Sequence, residues 1–162
     1  MKKYILIKQM NRIFLGGTCG KSHWRDDLIK QLKNYEVEWF NPVVKNWTPE
    51  CQANEENEKN NKCNVHLYVI TPEMKGIYSI AEIINSCWQA IVYGTTVEYV
   101  GVYFYGEWNN ALTKSIEATL RLCGYIAGIK FDGHIINDNQ NFSGINSIIG
   151  GLERLGVLDN KK

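Results

Sequence analysis

A chain of 162 residues with 18 basic and 17 acidic side chains has the size of one domain, expected to span 1–162 and to bury roughly 70% of its unfolded surface. Charge this evenly balanced leaves no field for gripping nucleic acid or an anionic membrane, and no run approaches the ~20 apolar residues of a membrane span. Five scattered cysteines (Cys19, Cys51, Cys63, Cys87, Cys123) without a CxxC pair or a secretory leader lead us to expect reduced thiols and a cytoplasmic location.

After a charged leader, Arg12 to Gly17 ("RIFLGG") is a short apolar run ended by glycines, as in a buried strand. Trp24, Leu28, Leu32 and Tyr35 then recur at helical spacing behind Ser22, a candidate N-cap. Val37 to Pro42 ("VEWFNP") reads as a second strand stopped by Asn-Pro. The polar stretch 43–62 contains Thr48-Pro49, a cap followed by proline at the first helical position, and predicts a solvated helix or ordered loop.

Asn64 to Thr71 ("NVHLYVIT") is apolar at both parities, as a strand covered on both faces should be. Ile80, Ile83, Ile84, Cys87 and Ile91 form one helical stripe. Val97 to Gly106 is a fourth strand; Leu112, Ile116, Leu120 and Cys123 mark another helix. "YIAGIKF" (125–131) is a candidate fifth strand, and beyond an Asn-rich turn Ile145, Ile148, Ile149, Leu152 and Leu155 predict a helix near 144–156. Alternating strand and helix predicts a doubly wound parallel sheet of four to five strands, order 2-1-3-4-5, with ligand chemistry beyond the strands' carboxyl ends.

Gly16 to Ser22 ("GGTCGKS") imitates a phosphate loop but has three residues, not four, between Gly16 and the Gly20-Lys21 pair. No apolar strand ends in the Asp that would hold magnesium. Small residues at Gly16, Gly17 and Thr18 still leave room for backbone amides to meet a ribose or phosphate, with His23 and Arg25 in reach to flank it. Cys63 and His66 stand at odd separation on a strand and point to opposite faces, so no metal site is expected.

Glu82 follows the third strand and lies off the Ile80–Ile84–Cys87 stripe. Ser79 with Glu82 fits a capping box; the long loop from Pro72 through Gly76 instead suggests a carboxylate facing a crevice beside the first glycine loop. The chain resembles the nucleoside 2-deoxyribosyltransferase family. "IFLGGT", "SHWRDDLIKQL", "FNP" and "NVHLYVITPEMKGIYSIAEI" follow in that family's order, over about residues 12–125, with 126–162 a C-terminal extension.

The resemblance implies an enzyme that transfers or hydrolyses an N-glycosidic bond of a (deoxy)nucleoside or nucleotide. Glu82, ten residues after Pro72, would be the nucleophile and form a glycosyl-enzyme. It further implies Glu56 as a residue that holds or protonates the base, Asn109 as one lent to a neighbouring subunit's site, a homo-oligomer, and no cofactor. Gly16, Gly17, Thr18, Arg25 and Ser79 complete the candidate substrate-binding set. Two positions depart from the pattern: Gly76, six residues before Glu82, and Asn64, where relatives carry acids. Those departures motivate the alternative of a non-catalytic protein of the same fold that binds a nucleotide or ADP-ribose derivative; an NAD glycohydrolase is a third possibility. Asn109 also reads as the N-cap of the helix it precedes.

Overall fold

The apolar runs become five parallel strands: β1 (Arg12–Gly17), β2 (Glu38–Phe40), β3 (Val65–Ile70), β4 (Tyr99–Tyr105) and β5 (Phe131–Ile136), in the order β2-β1-β3-β4-β5. The computed structural model describes residues 8–137 and 143–161. Most of the charged leader and most of the Asn-rich turn lie outside the described residues. Helices α1 (Trp24–Leu32), α2 (Pro49–Asn57), α3 (Tyr78–Ile91), α4 (Asn110–Ala127) and α5 (Ser143–Arg154) connect or follow the strands.

Strand parity decides which helix each side chain meets. Ile13 and Leu15 of β1, with Val65, Leu67 and Val69 of β3, pack against Trp24, Leu28 and Leu32 of α1 and Ile148 and Leu152 of α5. The alternate residues Phe14, Tyr68 and Ile70 point the other way, toward Ile83 and Cys87 of α3 and Ile116 and Cys123 of α4. Helices therefore cover both faces of an α/β sheet. All six residues of β3 are buried, and each large apolar side chain so placed contributes ~1.5–3 kcal/mol.

Three boundaries differ from the sequence reading. Residues 125–130 are the end of α4 and a 3-10 turn (Gly128–Lys130), and β5 begins only at Phe131. The helix runs on because Ile126 and Ala127 still face the core, and Gly128 stops it at φ +58°. His23, not Ser22, occupies the N-cap of α1, with no side-chain cap bond. On α3 the buried residues are Ile83, Ser86, Cys87 and Ala90, so Ile91 of the expected stripe is exposed.

The loop after β1 needs its glycines. A Cβ on Gly16 would press into the Tyr68 and Phe14 rings, and Gly17 sits at φ +113° with its missing Cβ directed onto the Val69 carbonyl. We expect Gly17→Ala to lower the unfolding free energy by ~2 kcal/mol or more in urea titration, since backbone strain and collision add. Gly20→Ala is a milder control, because its left-handed backbone (φ +88°) carries the strain without a steric neighbour.

Candidate active site

The chain reverses direction across the sheet between β1 and β3, and the loops that leave their carboxyl ends enclose a cleft of about 620 Å³. One wall is the glycine loop. Another is apolar, from Pro42, Val43, Val44 and the exposed indole of Trp47. The third carries carboxylates: Glu55 and Glu56 from α2, and Glu82 from the second turn of α3.

Helix α2 forms as its start predicts: Thr48 Oγ1 accepts from the Cys51 amide at 3.4 Å, with Pro49 in the first turn. It buries none of its own residues. It then widens into a π-helical turn, Glu58–Lys62, which carries Glu58 and Lys59 inward. Lys59, only 4% exposed, donates from Nζ to Glu82 Oε1 at 2.6 Å and to Glu56 Oε1 at 3.4 Å. Glu56 also accepts from Asn60 Nδ2 at 3.0 Å. Glu55 makes no salt bridge or hydrogen bond through its carboxylate among the described residues, although the charges of Lys59 and Arg25 reach it.

These pairings set the protonation pattern. Burial opposes charge on Lys59, but the bond and charge of Glu82, backed by Glu56, raise its pKa overall. Glu55 is also raised, first by burial and then by the negative charge of Glu82. A buried chain holds the π turn in place. His66 Nε2 faces the Lys59 carbonyl at 2.7 Å, so that nitrogen carries the hydrogen, and Nδ1 accepts from Ser86 Oγ at 2.8 Å. Tyr68 Oη then donates to Ser86 Oγ at 2.8 Å. Burial pushes the His66 pKa down to about 4, so the ring stays neutral at ordinary pH.

The residues named from the sequence are placed as follows. Gly16, Gly17, Arg25, Ser79, Glu56 and Glu82 all line the cleft. Arg25 spends its guanidinium on the loop itself, donating to Leu15 O (2.9 Å), Thr18 O (2.6 Å) and Gly17 O (3.2 Å). Thr18 is buried and ties the loop to β3: its amide donates to Val69 O and its hydroxyl accepts from the Thr71 amide at 2.8 Å. The Ser79–Glu82 capping box is not formed; Ile77 is the N-cap of α3, without a side-chain bond, and Glu82 turns to Lys59 instead. Asn109 caps α4, accepting from the Leu112 amide at 3.0 Å, and lies outside the cleft. Asn64 sits at the amino end of β3, bonded to Arg12 and Asn11, remote from the strands' carboxyl ends.

Lys59, Trp47 and the distinct environment of Glu55 are absent from the sequence reading. A lysine three or four residues from glutamates on a polar helix signals only a surface ion pair, and nothing local reveals that the turn becomes buried. Among the described residues no group of three or more His, Cys, Asp or Glu side chains is arranged to hold a metal ion.

A parallel sheet of this order places the protein among the doubly wound α/β folds, in which the crevice at the crossover point is the usual ligand position. The chain belongs to the nucleoside 2-deoxyribosyltransferase-like family, whose profile matches residues 10–96, more than half its length. The match contains the glycine loop, all three carboxylates and Lys59, and ends before β4. No curated protein matches the chain. No helix among the described residues is long and apolar enough to cross a membrane.

Lys59 supplies a direct test of the ion pair. A group whose pKa is higher folded than unfolded stabilises the fold fully below the unfolded value, ~10.4 for lysine, and loses that contribution as pH rises through the folded value. We expect the wild-type protein to lose stability steeply above about pH 10. Lys59→Met should be less stable near neutrality by ~3 kcal/mol, since it strands Glu82 beside Glu56, and should lack the Lys59 part of the alkaline loss. Chemical denaturation from pH 6 to 11 reads both, and superimposable profiles would contradict the pairing.

Proposed function

We propose that the protein cleaves the N-glycosidic bond of a nucleoside-type substrate by double displacement at Glu82, with Glu55 as general acid. The observation that carries this reading is the division of labour among three cleft carboxylates around one buried ammonium. Lys59 fixes Glu82 Oε1 and leaves Oε2 for the anomeric carbon; Glu56 completes the lysine's partners; Glu55, outside the ion pair, binds its proton more tightly than an ordinary carboxylate. A carboxylate held by a cation beside an acid of raised pKa is the arrangement retaining glycoside chemistry uses.

In the first step Glu82 Oε2 bonds to C1′ as the C1′–N bond breaks. The bonding pair leaves with the base nitrogen, which takes the Glu55 proton. The sugar is then an ester of Glu82. Water attacks C1′ and returns its proton to Glu55, which frees Glu82 (hydrolysis); a second base in place of water gives transfer. The apolar wall from Pro42 to Trp47, with the exposed indole of Trp47, suits a stacked base.

Base release from a panel of nucleosides, deoxynucleosides, nucleotides and NAD, followed chromatographically, tests the reading. Glu82→Gln should lower turnover by ~1,000-fold or more, and unchanged turnover would rule out the covalent step. Glu55→Gln should cost about 100-fold and remove the fall in rate on the alkaline side, where the acid form of Glu55 disappears in the wild type. Substrates whose base is already cationic should be spared. Ligands that bind intact, without base release from any compound, would favour the binding alternative.

We also propose that the chain works as a homo-oligomer of 1–162 units. The outward faces of α3 and α4, which pack side by side, expose Trp88, Ile91, Leu122 and Tyr125, a concentration of apolar surface that water disfavours. Sedimentation at micromolar concentration should give more than the 18.6 kDa of one chain, and Trp88→Glu with Tyr125→Glu should reduce it to the monomer.

A further inference from the structure

The two edges of the sheet are unlike. β2 is three residues long and runs straight into Asn41-Pro42, which blunts it. β5 is six residues long, holds no proline or lysine within Phe131–Ile136, and pairs only with β4 among the described residues. Its residues from Phe131 to Ile135 stay partly exposed although α4 and α5 pack on it. An open edge of that length is a template for another strand. We propose that its occupant is β5 of a second copy, paired antiparallel across a two-fold axis at Gly133. The surface is separate from the cleft and from the helical face of α3 and α4.

Backbone parity fixes which atoms are on offer. The Gly106 amide donates to the Ile136 carbonyl at 3.1 Å, so Ile136 turns its peptide groups toward β4. Alternate residues of a strand do the same. Asp132 and His134 therefore also face β4, while Gly133, Ile135 and the Phe131 carbonyl face the open edge. The Phe131 amide is used by the preceding turn, where it donates to Gly128 O. Pairing about Gly133 joins the N–H of each Gly133 to the other's carbonyl. It also joins the N–H of each Ile135 to the Phe131 carbonyl opposite.

The side chains select that register. Outward residues must oppose outward residues, which places the axis on a residue of the strand. An axis on Asp132 would set carboxylate against carboxylate, and one on His134 imidazole against imidazole. With the axis on Gly133, Asp132 of each copy faces His134 of the other, and Phe131 faces Ile135. Asp132 lies under α5, accepting from Arg154 Nε at 3.0 Å, and His134 Nδ1 is 3.8 Å from its Oδ2. Both fall at the non-hydrogen-bonded positions, where opposed side chains come closest. The His134 side chain is 37% exposed and so accessible to a partner. Phe131 and Ile135 pack on the opposite face, with the α4 core. Gly133 brings no side chain to the axis, since a Cβ there would strike the Phe131 ring and the Val102 carbonyl. Charge meeting charge and apolar meeting apolar in one self-complementary register is what an isologous contact requires.

The test is amide hydrogen exchange by NMR on the whole chain at about 0.05 mM and about 1 mM, because one strand edge buries less than a standard interface and pairs weakly. The Asp132, His134 and Ile136 amides, turned to β4, should be slow at both concentrations and report an intact fold. The Gly133 and Ile135 amides should slow about threefold or more at the higher one. His134→Glu, which sets carboxylate against carboxylate across the axis, should abolish that concentration dependence, and His134→Lys should keep it. Should either substitution loosen the fold, the wild-type series alone decides. Free exchange of Gly133 and Ile135 at both concentrations would overturn the proposal. So would a dependence that His134→Glu leaves unchanged, or protection already complete at dilution, the sign of a chain that covers its own edge. Association through α3 and α4 alone leaves the Gly133 and Ile135 amides free, so the two contacts are read apart.

Discussion

One buried ammonium organises the candidate site. Lys59 lies beneath Glu82 and Glu56, with its charge 5.6 Å from the centre of the Phe14 ring and its own carbonyl pinned by His66. Taking such a group out of water costs several kcal/mol, and only close carboxylates with good geometry offset that. The pairing therefore constrains the acids as much as the lysine. The acid left outside the pair, Glu55, is raised by burial and by the charge of Glu82. The three carboxylates thus sit in unequal surroundings, two bonded to the ammonium and one not.

The same constraint ties the site to the sheet. His66 and Tyr68 occupy alternate positions of β3 on the face that meets α3, and both reach Ser86. That polar chain is fully paired within the core, as buried polar groups must be. On the other side, Arg25 and Thr18 clamp the glycine loop by its own carbonyls and by β3. Arg25 resembles a phosphate ligand in sequence, yet its nitrogens are consumed in shaping the loop against which a ligand would lie. Burial lowers its pKa, and the carbonyl bonds are what a guanidinium in that position requires.

The sheet was legible because parity and burial leave a strong imprint. β1 and β3 match their apolar runs to within a residue, and the alternation of strand and helix was enough to order all five strands. β5 escaped because its side chains are only partly buried until Ile136, so its pattern is weak beside the Tyr125–Ala127 end of α4. Glu82 stood out as a cleft residue; its partner did not. Glu55, Glu56 and Lys59 read as one solvated face, since the π-helical turn that rotates Lys59 inward depends on packing over Phe14 and under α3, a tertiary fact. Ser79 misled for a related reason: a capping box is a local option, and a buried ammonium 2.6 Å away outcompetes a backbone amide for Glu82.

The two departures from the family pattern now separate. Asn64 binds Arg12 and Asn11 at the amino end of the sheet, so its change from an acid alters an edge contact and leaves the cleft untouched. Gly76 is different, because it lines a second cavity beside the glycine loop. A Cβ there would meet open space and the glycine's backbone is not left-handed, so neither sterics nor strain demands glycine. An aspartate at that position would fit, and would place a second carboxylate beside Glu73 and opposite Lys21 and Lys75. Its absence leaves Glu73 as the one carboxylate lining that recess, against Lys21 and Lys75.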